Sequence, residues 1–152
     1  MELPSVAQLI PVLQTAIGPV ILISGIGLLL LTMTNRLGRA IDRARILVGS
    51  LPNTAEAKEE KTVAQLQILW GRARMIRLAI ALASVSALVA AILVIVLFCT
   101  ALWQIESAWI IVALFMVCMV SLIGSLVIFI RDINQSLAAL RLELEAEKVV
   151  DF

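Results

Sequence analysis

Three long stretches of the chain contain no Asp, Glu, Lys or Arg. The charged residues that bound them are Glu2 and Arg36, Arg77 and Glu106, and Glu106 and Arg131. A helix rises about 1.5 Å per residue, so about 20 apolar residues cross a hydrocarbon core of about 30 Å. Each stretch is long enough for this, and we predict transmembrane helices over residues 18–34, 78–103 and 108–130.

The composition favours a membrane protein over a soluble one. Hydrophobic residues make up 62% of the chain and charged residues 15%, whereas soluble domains are about half apolar and about a quarter charged. A single soluble core cannot bury this much apolar side chain, so lipid must cover the remainder. The sequence therefore predicts an all-α integral membrane protein in which residues 1–152 form a single membrane domain.

The basic residues predict the orientation of this domain. All 12 Lys and Arg fall in two segments, residues 35–77 and 131–152. Loops rich in Lys and Arg stay on the cytoplasmic side of the membrane. We therefore expect the N-terminus outside, with both basic segments in the cytoplasm. Three spans require the two ends of the chain to lie on opposite sides, which agrees with the charge distribution.

Apolar side chains continue at helical spacing beyond the spans. They are Leu37, Ile41, Ala44 and Val48 after the first span, Val63, Leu66, Trp70 and Ala73 before the second, and Ile130, Ile133, Leu137, Leu140 and Leu144 after the third. These patterns predict helices that extend into a cytoplasmic helical bundle. The alternative is separate amphipathic helices on the lipid surface, which suits the basic first arm but not the acidic tail.

One strong turn pattern interrupts the cytoplasmic segment. Residues 49–53 read Gly-Ser-Leu-Pro-Asn, a composition typical of turns. Asn53 and Glu56 have the spacing of a helix N-cap and its capping box. Nothing breaks the pattern from there to Gln104, so we predict one helix of about 50 residues, roughly 75 Å long.

The residues at the ends of the spans resemble a known family. The segments are LTMTNRLGRAIDR at residues 31–43, RARMIR at residues 72–77 and RDI at residues 131–133. Together they are similar to the DUF2721 family of small bacterial membrane proteins, over roughly residues 5–147. The resemblance implies a three-pass topology and a bacterial inner-membrane location. It implies no activity and no catalytic or binding residue.

Charged and polar side chains cluster where the three spans reach the inner leaflet. They are Asn35, Arg36, Arg39, Asp42, Arg43, Arg77, Arg131 and Asp132. We expect Arg39 to pair with Asp42 along its helix or with Asp132 across the bundle, because guanidinium groups suit bidentate carboxylate pairing. One interpretation is a gate, or a ring that binds lipid phosphate or another anion. The other is ordinary anchoring by satisfied ion pairs, with anionic lipid headgroups as partners.

Small residues recur on the second and third spans. They are Ala79, Ala83, Ala87 and Ala91 on the second span and Ser121 and Ser125 on the third. Small side chains let helix backbones approach closely in lipid, so we predict helix packing there and a homo-oligomer. A ring of protomers with a pore lined by Ser24, Gly27 and Thr34 is the alternative.

The sequence lacks residues that several classes of protein function require. The chain has no His and no Tyr, and no charged residue lies inside a predicted span, where pumps and proton-coupled carriers usually need one. Cys99 and Cys118 are expected at different depths, too far apart for a disulfide. No nucleophile or phosphate-loop motif occurs, and the basic residues lie close to the membrane. We therefore expect no enzyme activity, no cofactor or metal and no nucleic-acid partner.

Two functions remain from the sequence. The first is a self-assembling scaffold, or an accessory subunit of a larger membrane complex. The second is a homo-oligomeric ion channel with a cytoplasmic gate. The apolar spans and the matching cytoplasmic arms suit both, so the sequence alone leaves both open.

The orientation is testable by accessibility. A cysteine that replaces Glu2 or Glu106 should react with a membrane-impermeant thiol reagent added to intact cells, because both positions are expected outside. A cysteine that replaces Lys58 should react only after the cells are permeabilised. Labelling of the Lys58 position in intact cells would show that the orientation is reversed.

Overall fold

A computed structural model of the protein describes the backbone of residues 6–50, 56–103 and 108–150. These ranges form three helices, α1 (Val6–Ser50), α2 (Glu56–Trp103) and α3 (Ala108–Val150). Side chains are described for residues 10–49, 63–103 and 108–135. Three predicted features lie outside the described residues: the turn residues 51–53 with the Asn53 cap, the outer turn at Gln104, and the side chains of the tail heptad beyond Ile133.

All three helices are much longer than a membrane is thick. They contain 45, 48 and 43 residues, which corresponds to about 65–72 Å at about 1.5 Å per residue. Each includes a segment long and apolar enough to cross a membrane, namely Ile10–Gly49, Val63–Trp103 and Ala108–Gln135. The prediction of an all-α protein with three membrane-spanning helices is confirmed, and each helix continues beyond its predicted span.

The central helix is α2, which packs against both α1 and α3. Five of its buried side chains follow each other at intervals of four, three, four and three residues: Ala79, Ala83, Ser86, Ala90 and Leu93. Four of these five are small, so the neighbouring helices can approach the α2 backbone closely. The buried residues that face them include Ile26 and Met33 of α1 and Cys118 and Ser125 of α3.

The predicted packing residues are buried to different degrees in the structure. Ala79, Ala83 and Ser125 are fully buried, whereas Ala87, Ala91 and Ser121 are only partly buried. A run of four-residue steps rotates about 40° around the helix at each step, because a turn has 3.6 residues. Alternating steps of three and four residues stay on one face, which explains why Ser86 and Ala90 replace Ala87 and Ala91 in the contact.

Hydrogen bonds between buried side chains and backbone connect α2 to α3. The Ser86 hydroxyl donates to the Cys118 carbonyl at 2.9 Å, and the Cys118 thiol donates to the Ser86 carbonyl at 3.4 Å. The Ser125 hydroxyl donates to the Ala79 carbonyl at 2.7 Å. Polar hydrogen bonds of this kind in membrane helices contribute about 0.6 kcal/mol each on average. They fix the register of α3 on α2.

The close packing on α2 predicts a strong effect of side-chain size. Ala83→Leu should lower the thermal stability of the detergent-solubilised protein by about 1–3 kcal/mol, because the buried site has no space for three more carbon atoms. Ala81→Leu is the matched control, since Ala81 lies two residues away and is exposed. Equal melting temperatures for both variants would contradict this packing.

Candidate functional site

A carboxylate of α3 lies at the point where all three helices meet. The Asp132 side chain is completely buried. Its Oδ2 lies 3.1 Å from Nη2 of Arg36, on α1, and its Oδ1 lies 3.6 Å from Nε of Arg72, on α2. One carboxylate therefore connects α3 to both other helices. We call these three residues the Asp132 site.

Two features of α3 hold the Arg36 guanidinium in place. Its central carbon lies 5.2 Å from the centre of the Phe129 ring, within the range of a cation–π interaction. Phe129 precedes Asp132 by three residues, so the ring and the carboxylate lie on the same side of α3. The side chains of Arg36 and Arg72 remain 22% and 26% exposed. Both cations are thus bound on one side and open to solvent on another.

The structure pairs Asp132, which was one of the two expected partners of Arg39, with Arg36 and Arg72 and not with Arg39. Arg39 is exposed, and the described ion pairs of Asp132 are with Arg36 and Arg72. Arg39 lies three residues beyond Arg36, about 4.5 Å further along α1, so Arg36 is the residue level with the carboxylate.

Arg72 is not a member of the predicted charge cluster, because it precedes the predicted second span by six residues. Six residues correspond to about 9 Å along α2. A long arginine side chain can extend along apolar surface to place its charge at another depth. No Lys or Arg lies three or four residues from Asp132 along the chain, and this is the sequence signal that its partners lie on other helices.

The remaining residues of the predicted cluster lie on the surface. Asn35, Asp42, Arg43, Arg77 and Arg131 are exposed, as is Arg39. The structure therefore brings Arg36 and Asp132 together with Arg72, and it leaves the other predicted members around them.

Two of the surface arginines line a pocket beside the Asp132 site. The pocket has a volume of about 300 Å³ and lies between α1 and α2. Its lining residues are Arg36, Arg39, Ala40, Arg43, Leu69, Arg72 and Ile76. Four of these seven are arginines and none is acidic. We call it the basic pocket.

A larger apolar groove runs along the other side of the same helix pair. It has a volume of about 910 Å³, and the predicted apolar stripes of α1 and α2 form its walls. The apolar lining residues include Leu37, Ile41, Ala44, Val48, Val63, Leu66, Trp70 and Ala73. It shares only Ala40 and Leu69 with the basic pocket. Because these two residues lie at the α1–α2 contact, the two cavities open on opposite sides of it.

The candidate pore residues lie on the surface of α1. Ser24, Gly27 and Thr34 are all exposed. The Ser24 hydroxyl donates to the Val20 carbonyl at 3.2 Å, and the Thr34 hydroxyl donates to the Leu30 carbonyl at 2.8 Å. The hydroxyl groups of Ser24 and Thr34 therefore bond to their own helix, and a pore between protomers stays a prediction.

The comparison with known families agrees with the span-end motifs. The family described as "Protein of unknown function (DUF2721)" matches residues 16–142. The chain belongs to this family. The matched range includes the Asp132 site, the basic pocket and the apolar groove, so the family region carries every feature described above. No curated protein and no solved structure is significantly similar to the chain.

The next feature is the arrangement of possible metal ligands among the described residues. Within the ranges that the structure describes, no group of three or more His, Cys, Asp or Glu side chains is arranged to hold a metal ion. Both cysteines are free thiols, with Cys118 buried and Cys99 partly exposed.

The Asp132 site predicts a specific loss of stability. Asp132→Asn removes the negative charge between two arginines and should cost on the order of 3 kcal/mol, the lower end of the range for a broken buried ion pair, because both arginines are partly exposed. Asp42→Asn is the control and should cost no more than about 0.5 kcal/mol, since Asp42 is exposed. Thermal unfolding in detergent measures both. A wild-type melting temperature for Asp132→Asn would contradict the role of this carboxylate.

Proposed function

We propose that the protein is a non-enzymatic membrane protein that self-assembles and acts as a scaffold, or as an accessory subunit of a larger membrane complex. The observation that supports this proposal is the apolar groove between α1 and α2. The basic residues at this end of the helices favour a cytoplasmic location, with the N-terminus outside a bacterial inner membrane.

The groove lies beyond the apolar spans. On α1 it begins at Leu37, after Arg36, and on α2 it ends at Arg77, before the span predicted from residue 78. With the membrane placed at the spans predicted from the charge-free stretches, lipid tails do not cover the groove. Its Trp70 side chain is nevertheless 77% exposed. A continuous apolar surface in contact with water is typical of a protein–protein interaction site.

The position of α3 favours an occupant from a second copy of the chain. Asp132 approaches the α1–α2 pair from the side of the basic pocket, where it contacts Arg36 and Arg72. The groove opens on the opposite side. Since α3 is a single helix to Val150, its own tail continues from the basic-pocket side, and the groove remains available to another chain.

The sequence of the α3 tail complements the groove. The tail combines an apolar heptad, which includes Leu140, with three acidic residues at positions 143, 145 and 147. The charged lining residues of the groove are Arg45, Arg74 and Arg77, with no acid among them. An acidic amphipathic helix that inserts into a basic-rimmed apolar groove buries apolar surface and pairs opposite charges. If two copies exchange tails, both grooves are filled in a closed symmetric dimer.

Substitution in the groove tests this assembly. Trp70→Glu should shift the detergent-solubilised protein from dimer or larger oligomer to monomer, because it places a negative charge where the acidic tail docks. Ile68→Glu is the matched control: Ile68 is 62% exposed on the same helix but does not line the groove. Light scattering coupled to size-exclusion chromatography measures the mass.

A second substitution identifies the occupant. Leu140→Glu in the tail should also produce monomer, since it disrupts the opposite side of the same contact. A wild-type protein that is monomeric at micromolar concentration would overturn the proposal. Dissociation by Trp70→Glu but not by Leu140→Glu would show that a different surface of the second copy fills the groove.

A further inference from the structure

We propose that the basic pocket binds the phosphate group of an anionic ligand, either the headgroup of an anionic phospholipid or a soluble phosphate ester. The pocket lies on the opposite side of the α1–α2 pair from the apolar groove. The inference is therefore independent of the proposed self-assembly.

The lining of the basic pocket is strongly positive. Four guanidinium groups line the pocket, from Arg36, Arg39, Arg43 and Arg72. The carboxylate in contact with them is Asp132, which pairs with Arg36 and Arg72. The described part of the chain contains no ion pair of Arg39 or Arg43. Arg39 and Arg43 therefore add two positive charges beside the Asp132 site in a small volume.

Among the described side chains, no acid lines the pocket, and Asp132 is the acid that pairs with its arginines. On α2 no acidic residue occurs between Glu60 and Glu106, and Glu60 precedes Arg72 by about 18 Å of helix. On α3 the first acid after Asp132 is Glu143, about 16 Å further along. Asp42 is the only acid in α1, and it is exposed and does not line the pocket. Within the described side chains neither Arg39 nor Arg43 has an ion pair, which favours an anion from outside the chain as their counter-charge.

The arginines of the pocket are arranged to surround a phosphate group. Arg36, Arg39 and Arg43 follow each other at intervals of three and four residues, so they lie along one face of α1 over two turns. Arg36 is held by Asp132 and Phe129, and Arg72 is held by Asp132. A guanidinium group donates two parallel hydrogen bonds to a phosphate, which an ammonium group does not. Two oriented and two adaptable arginines thus form a phosphate cradle.

The volume of the basic pocket and its position relative to the membrane also suit a phosphate headgroup. A volume of about 300 Å³ is at the lower end for small-molecule sites, which are roughly 300–1,000 Å³, and it suits a headgroup more than a large ligand. Arg36 follows the predicted end of the first span by only two residues. This is the depth of the lipid phosphates, where anionic lipids attract arginine.

Native mass spectrometry with defined lipids tests the proposal. The full chain is prepared in micelles that contain equal amounts of palmitoyl-oleoyl phosphatidylglycerol and palmitoyl-oleoyl phosphatidylcholine. After transfer into the gas phase, the lipids that remain bound are counted per protomer. Wild type should retain phosphatidylglycerol preferentially. The double variant Arg39→Gln, Arg43→Gln should bind it about 30-fold more weakly, since each arginine near the membrane contributes roughly fivefold in affinity. Arg43→Gln alone should weaken binding about fivefold.

The control removes the same charge from the other side of the helix pair. Arg45→Gln with Arg74→Gln takes one arginine from each of α1 and α2, both from the lining of the apolar groove. This variant should keep phosphatidylglycerol affinity within about threefold of wild type. An equal loss in both double variants would overturn the proposal, because it would reflect net charge and not the pocket.

A second measurement distinguishes a lipid from a soluble ligand. The melting temperature is compared in lipid-free detergent with inorganic phosphate and with chloride at equal ionic strength. One outcome is that phosphate stabilises the wild type but not the Arg39→Gln, Arg43→Gln variant, while the wild type does not select phosphatidylglycerol. This outcome would identify a soluble phosphate ester as the ligand. Absence of both phosphate stabilisation and phosphatidylglycerol selection in wild type would overturn the proposal.

Discussion

The ion pairs of Asp132 are the interaction on which the arrangement of this membrane protein most depends. A buried carboxylate is unfavourable unless cations and hydrogen-bond donors surround it. Here Arg36 and Arg72 approach from two different helices, so the burial of one charge requires all three helices to meet at one depth. The hydrophobic effect cannot hold the helices together at this depth, because lipid tails are as apolar as the helix surfaces.

The small side chains of α2 and the Asp132 site act at different heights on the same helices. Ala79 and Ala83 let the helix backbones approach, and Ser125 fixes the register by its bond to the Ala79 carbonyl. Beyond that level α1 and α2 continue as a pair with two unlike sides. One side presents arginines and the other presents apolar side chains. We propose that these sides bind an anion and a second copy of the chain, respectively.

Much of the fold was predictable from the sequence, because lipid permits only a few solutions. The gaps between charges predicted three spans, and the apolar stripe from Leu37 to Val48 predicted the continuation of α1 that now forms a wall of the groove. The site was less predictable. The expected depth of the residues placed Arg36 and Asp132 in one predicted cluster and left out Arg72. The choice of Arg36 and Arg72 over Arg39 depends on the rotation and relative height of the helices. Sequence spacing within one helix carries no information about either quantity.

The most direct test of this account is a double-mutant cycle between Arg36 and Asp132, measured by thermal unfolding in detergent. Arg36→Gln and Asp132→Asn should each destabilise the protein, and the double variant should lose at least about 1 kcal/mol less than the sum of the two losses, because each single change leaves a charge without its partner. The same cycle with Arg39→Gln in place of Arg36→Gln should be additive. Additive losses for Arg36 and Asp132 would contradict the account, since they would show that this carboxylate does not hold α1 to α3.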